Sequence, residues 1–410
     1  MSPRPARLPR AFWIIWSALL ISKAGGFVVI IMTLYLTAQR GLTESRAGLI
    51  VGLFGIGGAA GVLVGGVCAD RIGRKPTMVA SAGVSAVALA TLGQLTDPVW
   101  IAVFVAVFGF ANAAFGPAGI AAMADVLRPE DRDRAFNLMF WAINLGMGAA
   151  SLLAGFLAQF SYSLLFWLDA GTALLAGVLI LLAVPETLRH KRSGAEPVHR
   201  GRFVDVWRDG VYMTFVSLVF LQSFVWAQAQ TTLPLAMTRD GLSESDYGVV
   251  LAIGSAMIIG GQLIVPKLTT RFSKATALAM ALAFFAAGFG AVGLVAGFTG
   301  YVVCAVIWTI GNMMAAPPNA TVIADLSPDG MRGRYQGVFS LTHSAAAFAA
   351  PAIGGFTFQF LGDGHWAVIF AVGVLAAAGH LLAGPARERA TKRRAREASV
   401  LIDQSEKVTA

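Results

Sequence analysis

Lys23, Asp169 and His343 each stand inside a long apolar stretch of this sequence. An ionisable side chain in such surroundings is costly, so it is a functional candidate by default. Lys23 falls mid-way through the run 12–36, and Asp169 about a third of the way into the run 162–184. A lone lysine there costs about 3 kcal/mol on insertion scales, so Lys23 needs a carboxylate or a water-filled space. Asp169 is its expected partner, whether the pair carries charge during a cycle or only fixes helix packing. His343 belongs to the side-chain class that titrates near neutral pH, which makes it a second candidate for proton coupling. Amides and rings recur at helical spacing. Asn137, Trp141, Asn144 and Gly148 fall at i, i+4, i+7 and i+11, and Gln222, Trp226 and Gln230 at i, i+4 and i+8. Phe108, Asn112 and Phe115, then Trp308 with Asn312, and then Gln336, Phe339 and His343 repeat the pattern. Amides turned to lipid lack partners, so these faces look into a bundle. Large rings with a few amides suit bulky, weakly polar or cationic small molecules.

The elements that position these residues are apolar helices. Of the 410 residues, 57% are hydrophobic and only 13% charged, which excludes both an ordinary soluble enzyme and a disordered chain. A spanning helix needs about 20 apolar residues. Twelve such runs are present: 12–36, 47–69, 77–95, 99–123, 135–159, 162–184, 211–236, 247–266, 275–294, 299–322, 335–359 and 366–384. They lack the alternation of an outer-membrane barrel. The first run is too long for a signal-peptide core and eleven others follow, so it reads as an uncleaved span. Of the 31 lysines and arginines, all but Lys23, Arg40, Arg46 and Arg239 lie at the N-terminus, after even-numbered runs, or in the tail. That bias puts both termini in the cytoplasm. The formal charge of +9 is therefore topological, and nucleic acid is not an expected partner. Cys68 and Cys304 sit in apolar runs and suggest neither disulfide nor zinc site. No nucleotide-binding loop, metal cluster or nucleophile–base pair is visible. Neither catalysis nor a cofactor is expected.

The halves repeat at a constant offset of 200. Gly41-Leu42-Thr43-Glu44-Ser45 lies over Gly241-Leu242-Ser243-Glu244-Ser245, Asn112, Pro117, Asp125 and Arg134 over Asn312, Pro317, Asp325 and Arg334, and Gly155-Phe156 over Gly355-Phe356. Six runs per half make these parallel repeats about an axis along the membrane normal, with a site expected between them. The predicted organisation is a six-helix half at 1–184, a cytoplasmic linker at 185–210, a second half at 211–384 and a basic cytoplasmic tail at 385–410.

Between the second and third runs the chain reads Gly66-Val67-Cys68-Ala69-Asp70-Arg71-Ile72-Gly73-Arg74-Lys75-Pro76. This G-x-x-x-D-R-x-G-R-K run resembles the signature loop of the major facilitator superfamily, and a worn copy, Thr270-Arg271-Phe272-Ser273-Lys274, follows the eighth run. Gly66 would let its helix approach a neighbour closely, and Gly73 permits a tight turn. The resemblance implies a twelve-helix fold of two pseudo-symmetric halves. It implies that Asp70 faces the start of the eleventh helix near Arg334–Gln336, and that Arg71 or Arg74 meets Asp125. It implies a monomeric transporter of the cytoplasmic membrane, similar to the drug:proton antiporters, exchanging a small molecule for protons. Two motifs of those exporters are altered. Val105 stands where their fourth helix carries arginine, and Ala150-Ser151-Leu152-Leu153-Ala154-Gly155 replaces their G-P-x-x-G-G run, while Ala350-Pro351-Ala352-Ile353-Gly354-Gly355 comes closer to it. Import of a nutrient or organic anion, with Lys23 as counter-charge, is the alternative.

Overall fold

The computed structural model describes residues 8–188, 203–261, 264–328 and 331–409. Arg4, Arg7 and the linker segment 189–202 lie outside these residues. The described chain is helical and contains no strand. The N-terminal half comprises α1 (Arg10–Ala24), α2 (Phe27–Leu34), α3 (Glu44–Arg71), α4 (Arg74–Leu92), α5 (Pro98–Val126), α6 (Arg132–Ala158) and α7 (Tyr162–Ala183). A short α8 (Phe203–Arg208) precedes α9 (Gly210–Thr231), α10 (Leu233–Arg239), α11 (Glu244–Gly261), α12 (Val265–Thr269), α13 (Lys274–Gly290), α14 (Phe298–Leu326), α15 (Arg332–Leu361) and α16 (Gly364–Thr409). Among the described residues, eleven helical stretches are long and apolar enough to cross a membrane. The eighth run spans α11 and α12; residues 262 and 263 between them lie outside the described residues.

Two elements differ from the expected runs. The first run is broken: Gly25 and Gly26 separate α1 from α2, with Gly26 donating to the Lys23 carbonyl and Phe27 to that of Gly25. A Cβ at Gly25 would lie 1.8 Å from Thr172 Oγ1, so close packing on α7 fixes glycine there. At the other end of the chain, 385–409 continues α16 as helix.

Helix starts follow the sequence. The Thr43 hydroxyl accepts from Arg46 N–H, Asp97 from Val99 and Trp100, Asp209 from Tyr212, and Ser273 from Thr276. Such caps satisfy backbone donors the first turn leaves free. The repeat is visible in the backbone, since Gly41 and Gly241 both take positive φ, 65° and 79°, ahead of α3 and α11.

The halves meet through α3 on α15 and α6 on α11. The contact is tight at one end only. A Cβ at Gly48 would lie 2.1 Å from the Pro351 carbonyl oxygen, at Gly52 2.8 Å from that of Phe348, and at Gly155 2.4 Å from that of Glu244. Gly48 and Gly355 face each other as Gly248 and Gly155 do, the same pair in both repeats. Among the described residues, four hydrogen bonds cross here: Arg239 Nη2 to Glu44 at 2.8 Å, the Tyr162 hydroxyl to Glu244 at 2.9 Å, Ser45 N–H to Gln359 at 3.0 Å, and the Tyr247 hydroxyl to the Ile30 carbonyl at 3.4 Å. At the basic end, by contrast, a Cβ at Gly66, Gly333 or Gly337 would meet nothing within 4 Å. The halves are closed at the far end and splayed at the basic end.

Candidate functional site

Arg74, the second residue after Ile72, organises the signature loop. Its Nε donates to Asp125 Oδ2 at 3.1 Å, its Nη1 donates to the Ala69 carbonyl at 2.7 Å, and Nη1 lies 3.4 Å from Asp70. The repeat mate is the Lys274–Asp325 ion pair. Gly73 takes φ of 130° and starts α4. A Cβ there would fall 2.5 Å from Glu186 Oε2. Glu186, which the sequence reading passed over, accepts from the backbone N–H groups of Arg74 and Lys75, both at 3.1 Å. Burial raises its pKa, but donation by Leu188, Arg74, Lys75 and Thr187 outweighs that and holds the carboxyl below its ordinary range.

Two expectations for this loop are corrected. Gly66 makes no close approach, and Gly57, Gly61 and Gly65 form the seam against α5 instead. Asp70 does not reach the start of α15, because the halves are splayed there; its side chain is 75% exposed. On that side Tyr335 is engaged by Asp209, and Arg334 Nη1 is buried with no acceptor among the described residues. Arg71 is exposed.

Inside the N-terminal half, Lys23 and Asp169 line one cavity of about 250 Å³ with Asn112, Phe115 and Ser81. They share the space without joining, as no Lys23–Asp169 ion pair lies within 4.0 Å among the described residues. Asp169 Oδ2 instead accepts from Val28 N–H at 3.1 Å, at the start of α2. A carboxylate at a helix N-terminus is worth about 0.3–2 kcal/mol. The broken first run thus exposes the donor that occupies Asp169, and this is why the expected direct pair is not formed. Lys23 packs against α6, where a Cβ at Gly146 would lie 2.7 Å from its Cβ.

A second cavity of about 440 Å³ lies between the halves, walled by α6, α9, α11 and α14. Asn137, Asn144, Trp226, Gln230, Trp308 and Asn312 line it, with Met147 and Met313. Among the described residues, none of those lining it is ionisable. Trp226 meets Phe285 edge-on at 5.9 Å, and Trp308 stacks on Phe289 at 4.6 Å. Ile143 borders both cavities. Trp141, Gln222, Phe339 and His343 line neither. Trp141 is 40% exposed, Gln222 accepts from Asn319 Nδ2 at 3.1 Å, and Phe339 packs edge-on against His343. His343 Nδ1 lies 2.8 Å from the Ser223 hydroxyl. The sequence pattern could not separate these from their neighbours, because one helical face serves both cavity and seam.

Two helical halves, repeated in parallel and splayed about an internal cavity, define a polytopic membrane transporter. The chain belongs to the Major Facilitator Superfamily, whose family model matches residues 14–351. It is 26% identical over 358 residues to the MFS-type transporter YttB of Bacillus subtilis, covering 85% of this chain and 88% of that one. It is 23% identical to a Na(+), Li(+), K(+)/H(+) antiporter of Planococcus maritimus (82% and 88% covered) and 24% identical to the multidrug resistance protein MdtH of Aeromonas salmonicida (82% and 84%). Among solved structures, the nucleoside transporter NupG superposes with a TM-score of 0.79 at 12% identity (91% and 98% covered). A peptide transporter POT in complex with sulfate gives 0.79 at 15% (95% and 97%).

Proposed function

We propose that the chain exports hydrophobic or cationic small molecules from the cytoplasm in exchange for protons, by rocking one half on the other. The carrying observation is the uncharged cavity between the halves, walled by Trp226 and Trp308 and by the amides of Asn137, Asn144, Gln230 and Asn312. Such a wall binds through ring faces and a few hydrogen bonds. A separate charged cavity, holding Lys23 and Asp169, adjoins it at Ile143. Substrate and proton then occupy neighbouring sites that share α6. The relatives named as a multidrug resistance protein and as a cation/proton antiporter agree with this reading. With the termini cytoplasmic, as the charge bias indicates, the splayed end faces the cytoplasm, the loading side of an exporter. The working unit is a monomer in the plasma membrane.

The second reading is import of an organic anion. Lys23 favours it, since it lines a cavity without a carboxylate in ion-pair range among the described residues. Proteoliposomes with an imposed pH gradient separate the two. Accumulation of lipophilic dyes driven by counter-flow of protons supports export, and uptake of an organic acid alone rejects it.

A further inference from the structure

At the basic end of the C-terminal half, the start of α9 and the extension of α16 enclose a cleft of about 750 Å³. Arg208, Arg387, Arg393 and Arg394 line it, against Asp205 and Asp209. Asp209 is already engaged: it accepts from Tyr212 N–H at 3.1 Å, from the Tyr335 hydroxyl at 2.8 Å and from Arg394. Arg394 Nη1 still lies buried with no acceptor among the described residues. Arg387 is 5% exposed. Its guanidinium donates to His380 Nδ1 at 3.0 Å and to the His380 carbonyl at 2.6 Å, so both partners are neutral acceptors. Among the described residues no carboxylate lies within 4.0 Å of Arg387. Arg387 is thus a buried cation with neutral acceptors only, and Arg394 keeps a spare donor after its pairing with Asp209; such donors call for an anion.

The surroundings say which anion. Trp207, 53% exposed, and Val204 project from α8 beside Arg208. Exposed Leu381 and Leu382 stand on α16 just before Ala383 and Ala386 of the cleft wall. An exposed tryptophan beside cations, above apolar helix surface, marks headgroup depth. Planar guanidinium groups match phosphate oxygens in pairs.

We propose that this cleft binds the phosphate of an anionic phospholipid in the adjoining leaflet, held by Arg208, Arg387 and Arg394. The lipid bridges the residues leading into α9 and the extension of α16, joining the inter-half linker to the C-terminal half. This inference does not depend on transport direction.

The test is lipid binding by the purified full chain, read by native mass spectrometry and by thermal shift. Phosphatidylglycerol, phosphatidylcholine and inorganic phosphate are added separately. Phosphatidylglycerol should bind at least about tenfold more tightly than phosphatidylcholine, and Arg208→Gln and Arg387→Gln should each weaken it about fivefold. Arg208 is exposed, so its variant reads binding even where Arg387→Gln fails to fold. Arg128→Gln, a surface cation of the other half, should leave the affinity unchanged. Equal retention of both lipids, equal losses in Arg128→Gln and Arg208→Gln, or phosphatidylglycerol affinity unchanged in Arg208→Gln would overturn the site. Stabilisation by inorganic phosphate matching that by phosphatidylglycerol would overturn the lipid.

Discussion

Lys23 and Asp169 share a cavity yet are held apart by what each already does. Asp169 caps α2 through Val28 N–H, and Lys23 is wedged against Gly146 of α6. Under the proposed exchange, a proton delivered to Asp169 is expected to weaken its bond to Val28 and so to act on the backbone at the start of α2. Lys23→Ala is expected to abolish gradient-driven transport, with uptake into proteoliposomes under a pH gradient as the measurement; full activity would make the position structural and shift the coupling question to His343. Asp169→Asn should lose coupling while retaining substrate binding. At the interfacial cavity, Trp226→Ala should change relative substrate affinities in a competition panel by up to about tenfold, for loss of a ring contact worth roughly 0.5–1.5 kcal/mol. Trp141→Ala, away from both cavities, should leave that ranking unaltered. How much of this was legible follows from the chemistry. Charged residues in apolar runs can be found in sequence because hydrocarbon makes them rare. Which of two amides on one helix faces the cavity, as Gln230 does, and which joins the seam, as Gln222 does, depends on helix rotation against neighbours. Glu186 carried no signal beyond its place after Pro185.

The elements depend on glycine at particular seams. Gly48, Gly52 and Gly55 bring α3 against the backbone of α15, and Gly57, Gly61 and Gly65 bring it against α5. Overpacking such a seam costs about 1–3 kcal/mol. Gly48→Val is therefore expected to open the far end, raising the labelling of cysteines placed there several-fold in intact membranes, while Gly66→Ala, with no neighbour within 4 Å, should leave labelling unchanged. Equal labelling of both would discount the seam. The Glu186 cap predicts a pH effect. Its carboxyl sits below the ordinary range in the folded state, so its contribution is present above the unfolded pKa and is lost as pH falls through the folded one. Glu186→Gln in detergent should melt below the parent near neutral pH, and the two melting curves should converge in acid. Span positions were readable because about 20 consecutive apolar residues have few other uses. The break at Gly25–Gly26 was not, since glycine is frequent in membrane helices and it is the Thr172 contact that singles out Gly25. The helical continuation of 385–409 was likewise hidden, because a charge-rich segment reads equally as solvated tail or surface helix.

For the whole molecule, the repeat determines what the second conformer must resemble. Gly48 meets Gly355 as Gly248 meets Gly155, and Arg74 meets Asp125 as Lys274 meets Asp325, so the halves form a near-symmetric pair joined at seams they share. In the proposed rocking cycle, parting the far end would bring α3 and α15 together at the basic end, with Asp70 on that path. In the present conformer its carboxylate is mostly exposed and, among the described residues, pairs only with Arg74 of its own half, while Arg334 Nη1 finds no acceptor among them. We therefore expect Asp70 to stabilise chiefly a conformer closed at the basic end, where it would meet the positive N-terminus of α15. That interaction is worth about 0.3–2 kcal/mol, a population shift of up to about thirtyfold. The sign follows: Asp70→Asn withdraws stabilisation from the basic-end-closed state and should increase the share splayed as seen here. Cysteines placed at Gly66 and Gly337 should label faster in Asp70→Asn than in the parent, those at the far end more slowly, and turnover should fall while the amount of inserted protein stays constant. Faster labelling at the far end would reverse the assignment of which state Asp70 serves. Unchanged labelling with unchanged turnover would remove the signature loop from the switch altogether.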